Sequence, residues 1–302
     1  YNEIESNSVG YKVDYEMYSM DFEEFLWAKG YNENHIKTLY ENMVQLEPFS
    51  DSILKSMFDC FYEYMIVGGM PHIVDTFVKN NNYQGILEMQ KQILLDYEED
   101  MTKYAGGLDK TKILNVYRNI DTFLSKENKK FQITKIKVGA RNREYAGVVD
   151  WLKNAGIVNA CYKLNNLELP LKGNYDFDIY KLYYADTGLL IGSLDEEAAT
   201  DLRNNHNYNT YRGAIYENII GEQLKKQGYD LYYYINERST GEMDFIIRNE
   251  KNLIPIEVKA TGGATRTLSN MVKENKYKDI NAGIKFCKKN IGYDGKIHFR
   301  IF

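Results

Sequence analysis

The chain has 302 residues, of which 44% are hydrophobic and 27% charged, with a net charge of −5 at neutral pH. That length leaves room for two or three domains, and the composition is that of a globular protein rather than a disordered or fibrous one. No apolar run approaches the roughly 18 residues of a membrane helix and no signal peptide is visible, so the expectation is a cytoplasmic protein without a membrane span.

Three cysteines, Cys60, Cys161 and Cys287, are far apart and odd in number. They offer neither a disulfide framework nor paired zinc-ligand spacing and read as reduced thiols. The four histidines fall in no motif. The chain begins at Tyr1 rather than Met, which points to an upstream piece. Charge is unevenly spread: residues 1–108 carry net −12, 109–175 net +7, 176–204 net −5 and 205–302 net +5. Two basic modules in an acidic protein are candidates for binding a polyanion. The competing reading is an uneven but inert surface.

Taken in order, Tyr11 to Tyr18 is strand-like, and Asp21 is placed to cap a helix that carries Glu23 and Glu24 in its first turn. Residues 32–48 and 51–66 read as helices, the second with Ile53, Leu54, Met57, Phe58, Phe61, Tyr62 and Met65 at three/four spacing. Gly68-Gly69-Met70-Pro71 ends it. Further helices run to Lys79 and from Ile86 to about Met101. This first third is helical and acidic, and its apolar stripes are core.

Between 109 and 175 the spacing predicts a helix over Ile113 to Leu124, a short one over Ile133 to Val138, and a third from Asn142 or Arg143 to Ala155. A ribbon follows, Ile157 to Leu164 turning at Asn165-Asn166 into Leu167 to Leu171. Three helices and a ribbon are the order of a winged helix, with Arg141, Asn142 and Arg143 where a recognition helix meets DNA. Lys129, Lys130, Lys135 and Lys137 are candidates for phosphate contacts. Packing against protein alone is the alternative. Asp178 to Leu190 is a mixed apolar segment, and Leu194 to Asn209 reads as a connector or loop.

The last module begins with a helix from Tyr211 to Gln227 and a tyrosine-rich strand from Tyr229 to Ile235. Leu268 to Asp279 reads as a helix, and Ala282 to Cys287 and Lys296 to Phe302 as closing strands. The order is that of an α/β module with a central mixed sheet. Its centre is a hairpin made of the apolar runs Met243 to Ile247 and Leu253 to Val258. Symmetry about Glu250-Lys251 sets Asp244 opposite Glu257 and Glu242 opposite Lys259, all on one face. Two opposed carboxylates repel unless a cation lies between them. Two carboxylates with water and phosphate suit Mg²⁺ or Mn²⁺. Lys259 stands ready to orient a water or neutralise charge, and Glu217 on the preceding helix offers a third carboxylate. The alternative is an ion-pair cluster. Glu-x-Lys alone says little, because it recurs at Glu127/Lys129 and Glu274/Lys276, outside any strand.

Several of these stretches resemble one family. Tyr211-Arg212-Gly213-Ala214-Ile215-Tyr216-Glu217-Asn218, Gly241-Glu242-Met243-Asp244-Phe245 and Pro255-Ile256-Glu257-Val258-Lys259 look like the PD-(D/E)XK nuclease-like module. More narrowly, they resemble the C-terminal half of a group of uncharacterised prokaryotic AAA+ ATPases. Met20 to Leu26 resembles the segment after that family's ATPase core, and Gly68 to Pro71 its G-G-x-P turn. Val138 to Tyr145 and Leu169 to Lys172 fall in its winged-helix region, and Tyr180 to Leu190 matches its K-L-x-x-x-D-x-G-L-L run.

The resemblance implies an α+β multidomain chain: the tail of an AAA+ domain over 1–27, an acidic helical region over 28–108, a winged-helix-like domain over 109–190, a connector over 191–209 and a PD-(D/E)XK nuclease-like domain over 210–302. It implies Asp244, Glu257, Lys259 and Glu217 as catalytic residues, with Asp244, Glu257 and Glu217 on the metal. It further implies an upstream ATPase domain as partner, since no G-x-x-x-x-G-K-[ST] is present to cradle ATP phosphates. The expected function is a DNA-associated, Mg²⁺-dependent phosphodiesterase. Its alternative is an idle nuclease fold that binds DNA or protein. Oligomeric state stays open.

Overall fold

The N-terminal helices start where capping chemistry starts them. Asp21 accepts the Glu24 N–H at 2.9 Å and Glu24 accepts the Asp21 N–H at 2.8 Å, a reciprocal box that opens α1 (Phe22–Ala28). Then come α2 (Glu33–Gln45), α3 (Asp51–Val67), α4 (Pro71–Asn80) and α5 (Ile86–Tyr104). The computed structural model describes residues 10, 13, 15–126, 129–204, 209–236, 241–260, 262, 266–273 and 277–300, without the side chains of 142, 146, 209 and 210. Part of the strand-like stretch Tyr11 to Tyr18 lies outside these residues, and its residues 15–18 belong to no strand. Glu127, Glu274 and Lys276 also lie outside them.

The single helix expected over Ile113 to Leu124 is two, α6 (Lys110–Tyr117) and α7 (Ile120–Leu124). Asn119 breaks it, its amide donating to the Asn115 carbonyl at 2.8 Å. The short α8 (Ile133–Ile136) follows, then a 3₁₀ turn over Asn142–Glu144, α9 (Ala146–Asn154) and β1 (Val158–Leu164). The partner of β1 is β2 (Tyr175–Tyr184), not Leu167 to Leu171. The intervening segment closes on itself instead: the Asn174 side chain donates to the Glu168 and Pro170 carbonyls at 2.8 and 3.2 Å.

Next come α10 (Thr187–Ser193) and α11 (Glu196–Arg203). The second replaces the expected connector, capped by Asp195, which accepts the Ala198 N–H at 2.7 Å. Residues 205–208 of that connector lie outside the described ones. The remaining elements are α12 (Asn209–Lys226), β3 (Tyr232–Ile235), β4 (Glu242–Met243), β5 (Phe245–Asn249), β6 (Asn252–Lys259), α13 (Arg266–Lys273), β7 (Gly283–Cys287), β8 (Gly292–Asp294) and β9 (Ile297–Arg300).

Two mixed sheets result. One runs β2-β1-β3-β4 and the other β5-β6-β7-β9-β8. The chain is thus α+β, with a helical region leading into mixed sheets. The ribbon of the middle module is not a free wing, because β1 pairs in parallel with β3 of the last module. From Ala214 to Glu222 every residue of α12 is buried. A helix buried all round must find partners for its polar side chains inside the protein. Among the described residues no helix is long and apolar enough to cross a membrane.

Candidate active site at the sheet crossover

The hairpin β5–β6 follows the expected register: Phe245 opposes Ile256 and Asn249 opposes Asn252, around the two-residue turn Glu250-Lys251. The pairing stops one residue short of Asp244. Met243 and Glu242 belong to the other sheet, opposite Tyr234 and Ile235. Asp244 is therefore the residue at which the strand crosses from one sheet to the next. This leaves the Val258 N–H without a strand partner on that side, and the Asp244 carboxylate accepts it at 2.7 Å.

The crossover corrects both expected pairs: the ladder ends at Phe245 and Ile256, so Asp244 is not paired opposite Glu257 and instead bonds the Val258 N–H. Glu242 does not face Lys259; it is drawn away to Lys181 of β2, while Lys259 pairs with Cys287 on β7. Lys181 was absent from the sequence-based site, and its signal was a lysine inside the apolar run Ile179 to Tyr184. It is 1% exposed and lies between Glu242 and Glu217, the latter at 3.3 Å, with its ammonium 4.9 Å from the centre of the Tyr233 ring. Glu217 also takes Lys129, which was expected on phosphates, and the Tyr183 hydroxyl at 3.1 Å.

These neighbours set the protonation states. Burial alone pushes Glu217 up, but Lys181 and Lys129 more than offset it and bring its carboxyl down to about 2. Asp244 goes the other way: burial first, then the Glu217 charge, push it up to about 7 against Lys181, the Val258 amide and Lys259. Burial also raises Glu257, opposed by Lys259 and Lys285. Glu257 Oε1 is 3.6 Å from the Lys259 ammonium. Its other oxygen, Oε2, is buried with no hydrogen-bond partner.

Fitness for a hard cation depends on which oxygens remain. Both Glu217 oxygens are engaged by cationic or hydroxyl donors, so the Lys181 ammonium already neutralises it. Asp244 and Glu257 fit better. One Asp244 oxygen lies outside the Val258 bond, and the orphaned Glu257 Oε2 is a buried acceptor without a donor. Two carboxylates with waters and a phosphate are a usual Mg²⁺ set. Among the described residues, no three His, Cys, Asp or Glu side chains are grouped to hold one ion.

The titration of Asp244 gives a direct test. A carboxyl raised in the folded state holds its proton there between about pH 4 and 7 while the unfolded chain has released it, so stability falls as pH rises through that window. Asp244→Asn keeps an acceptor for Val258 and removes the charge. It is expected to stabilise the protein by roughly 1–3 kcal/mol at pH 8 and by much less at pH 5. Thermal melts of both proteins at the two pH values check this, and an equal shift at both would rule it out.

The basic candidates of the middle module are separate from these carboxylates. Lys135, Lys137, Arg141 and Arg143 are all exposed, on α8 and the loop and 3₁₀ turn that follow. The Asn142 side chain lies outside the described residues. The arginines precede α9 rather than opening it.

A second buried network escaped the sequence reading. Asp186 accepts the Gly69 N–H at 2.8 Å and the Gly188 N–H at 2.9 Å. Glu222 of α12 accepts the Thr187 N–H at 2.8 Å and its hydroxyl at 2.7 Å, and pairs with Lys226 at 2.6 Å. Asn218 spans the end of β2, accepting from the Tyr184 N–H at 2.8 Å and donating to its carbonyl at 3.2 Å. The G-G-x-P turn, the D-x-G-L-L run and α12 are joined here.

Comparison with known domain families finds two matches along the chain. Residues 59–200 match a domain of unknown function (DUF8612) and residues 212–301 another (DUF4143), which is found in AAA-ATPase-associated proteins. No curated protein and no solved structure matches the chain. Lys181 and Thr187 lie in the first matched region; their partners Glu217, Glu242 and Glu222 lie in the second.

Proposed function

We propose that the chain is the C-terminal part of an AAA+ type ATPase, with a winged-helix region and a PD-(D/E)XK nuclease-like module that associates with DNA and hydrolyses phosphodiesters. The observation that carries this reading is the pair at the crossover: Asp244, with a carboxyl near neutrality, and Glu257, with a buried oxygen lacking a donor. Asp244 and Glu257 would hold Mg²⁺ or Mn²⁺, which supplies charge stabilisation on the phosphate and a more acidic water. Lys259, half-exposed beside Glu257, would orient that water or meet charge developing on the phosphate. Glu217 acts through Lys181, which fixes Glu242 two residues before Asp244. The exposed Lys135, Lys137, Arg141 and Arg143 are the candidate phosphate contacts for the duplex. ATP enters only through an ATPase domain.

The test is plasmid nicking in Mg²⁺ or Mn²⁺ by the protein with its ATPase domain, with and without ATP. Asp244→Ala is expected to lower the rate by about 100-fold or more, within the range seen when a group that stabilises transition-state charge is removed. A rate untouched by that substitution, or no cleavage of single- or double-stranded substrates, would count against it. A second reading, a catalytically idle fold that binds DNA or protein, is favoured by one observation: Lys181 already satisfies Glu217. That reading predicts DNA binding that falls steeply with salt and survives Asp244→Ala.

A further inference from the structure

A cleft of about 960 Å³ opens beside β1, β2 and β3, and none of the hairpin carboxylates lines it. Its wall is aromatic. Tyr162, Tyr175 and Tyr232 come from three adjacent strands, brought together because β1 pairs with both β2 and β3. The Tyr162 and Tyr175 rings are 5.0 Å apart, and Tyr175 and Tyr232 are 5.6 Å apart. Phe177, 72% exposed, extends the row, 4.3 Å from Tyr175. Tyr232 is buried in the cluster around Leu164 and Leu171, Tyr162 and Tyr175 are half-buried against it, and the Phe177 end of the row is open to solvent.

The cleft also carries cations. Lys153 donates to the Tyr162 hydroxyl at 3.1 Å, Lys172 lies 3.2 Å from Asp230, and Lys225 of α12 lines the cleft, as do the acids Glu16 and Glu222. Asn154 and Asn159 add polar edges. An apolar ligand would strand these groups in a dry site. Planar rings with nearby ammonium groups suit a ligand that is itself a flat ring joined to a phosphate: rings stack on tyrosine and phosphates meet lysine.

We infer that this cleft binds nucleotide units, with bases stacked on Tyr175 and its neighbours and phosphate on Lys153, Lys172 or Lys225. The inference rests on the DNA reading above only for nucleic acid as one source of that chemistry; a free nucleotide is the other. It places single-stranded contacts on the β1–β3 face, apart from the duplex contacts offered by Arg141 and Arg143.

The experiment is fluorescence anisotropy of the chain with a labelled oligothymidylate of about twelve nucleotides in EDTA, where no cleavage competes, with thymidine monophosphate as competitor. Base–aromatic stacking corresponds to roughly 5- to 150-fold in affinity per base. Tyr175→Ala and Lys225→Glu are therefore each expected to weaken binding at least about five-fold, and Tyr175→Phe less than about two-fold. Phe177→Ala, at an exposed position, serves if Tyr175→Ala does not fold. Competition by the monophosphate at its own binding concentration makes the free nucleotide the ligand; competition only by oligonucleotides makes it a single strand. No binding by either probe, or variants that all bind as the parent does, overturns the inference. Binding that depends on Tyr175 without any cleavage removes hydrolysis and leaves the cleft. Cleavage with binding indifferent to Tyr175, Phe177 and Lys225 does the reverse.

Discussion

Lys181→Met is expected to destabilise the protein by about 3–5 kcal/mol, the cost of removing one partner from a buried ion pair. Its ammonium is held by Glu217 and Glu242 and lies near Asp244 and Tyr183, and together they raise its pKa although burial, the largest effect, lowers it. Methionine matches the length of the stem but leaves Glu217 with Lys129 and the Tyr183 hydroxyl, and takes from Glu242 the Lys181 cation. The freed carboxylates then take up protons in the folded state. Stability of the variant should fall as pH rises from about 5 to 8 more steeply than that of the parent. For a chain of this size the melting temperature should drop by on the order of 10 °C. Melts at pH 5 and pH 8 read both effects. A loss under about 1 kcal/mol at both pH values would show the network to be solvated rather than buried.

The second large effect belongs to Gly69. A Cβ there would stand 2.0 Å from the Met20 carbonyl oxygen. That oxygen is not free to move: it accepts from the Tyr64 hydroxyl at 2.8 Å and the Lys226 ammonium at 2.9 Å. Gly69 itself accepts the Met20 N–H at 2.7 Å and donates to Asp186 at 2.8 Å. Gly69→Ala must push the backbones apart and break both bonds, which should cost at least about 3 kcal/mol. Gly106→Ala is the control, since nothing lies within 4 Å of its would-be Cβ. It should change stability by less than about 1 kcal/mol. Urea titrations of the two variants separate the steric cost from the general effect of replacing glycine. A Gly69→Ala midpoint equal to the parent's would refute the locked turn.

Local chemistry was legible in the sequence. The Asp21 cap, the hairpin register and the helix ends at glycine all depend on residues a few positions apart. Two local features were passed over although their signals were present. Helix α11 has Asp195 as cap, Glu196 and Glu197 in its first turn and Arg203 in its last, but its acidity and the polar stretch after it read as a connector. The partner of β1 was sought in the nearest apolar run, Leu167 to Leu171, whereas the chain spends that run on a loop and pairs ten residues later. What no local rule supplies is the meeting of distant groups. Gly69 and Asp186 are 117 residues apart, and nothing near either names the other. Asp244 is similar. Its two sides were read as one continuous strand because the pull of β3 on Glu242 and Met243 comes from outside the hairpin. Lys181 followed from the same blindness: a lysine in an apolar strand signals an unseen carboxylate, but not which one.

The sharing of one sheet between the middle and last modules decides where the chain can be cut. The interval between the two matched regions, 201–211, suggests itself as the place to begin a shorter fragment. A piece starting there would take β3 with it and leave β1 behind, exposing a row of backbone donors and acceptors that invite a foreign strand. It would also carry Glu217 without Lys181 or Lys129 and Glu222 without Thr187. Asp244 and Glu242 are thus set by a lysine that a minimal C-terminal fragment would discard. Divisibility stops at the level of the polypeptide from α3 onward, and assays of the last module alone would report on a different electrostatic site.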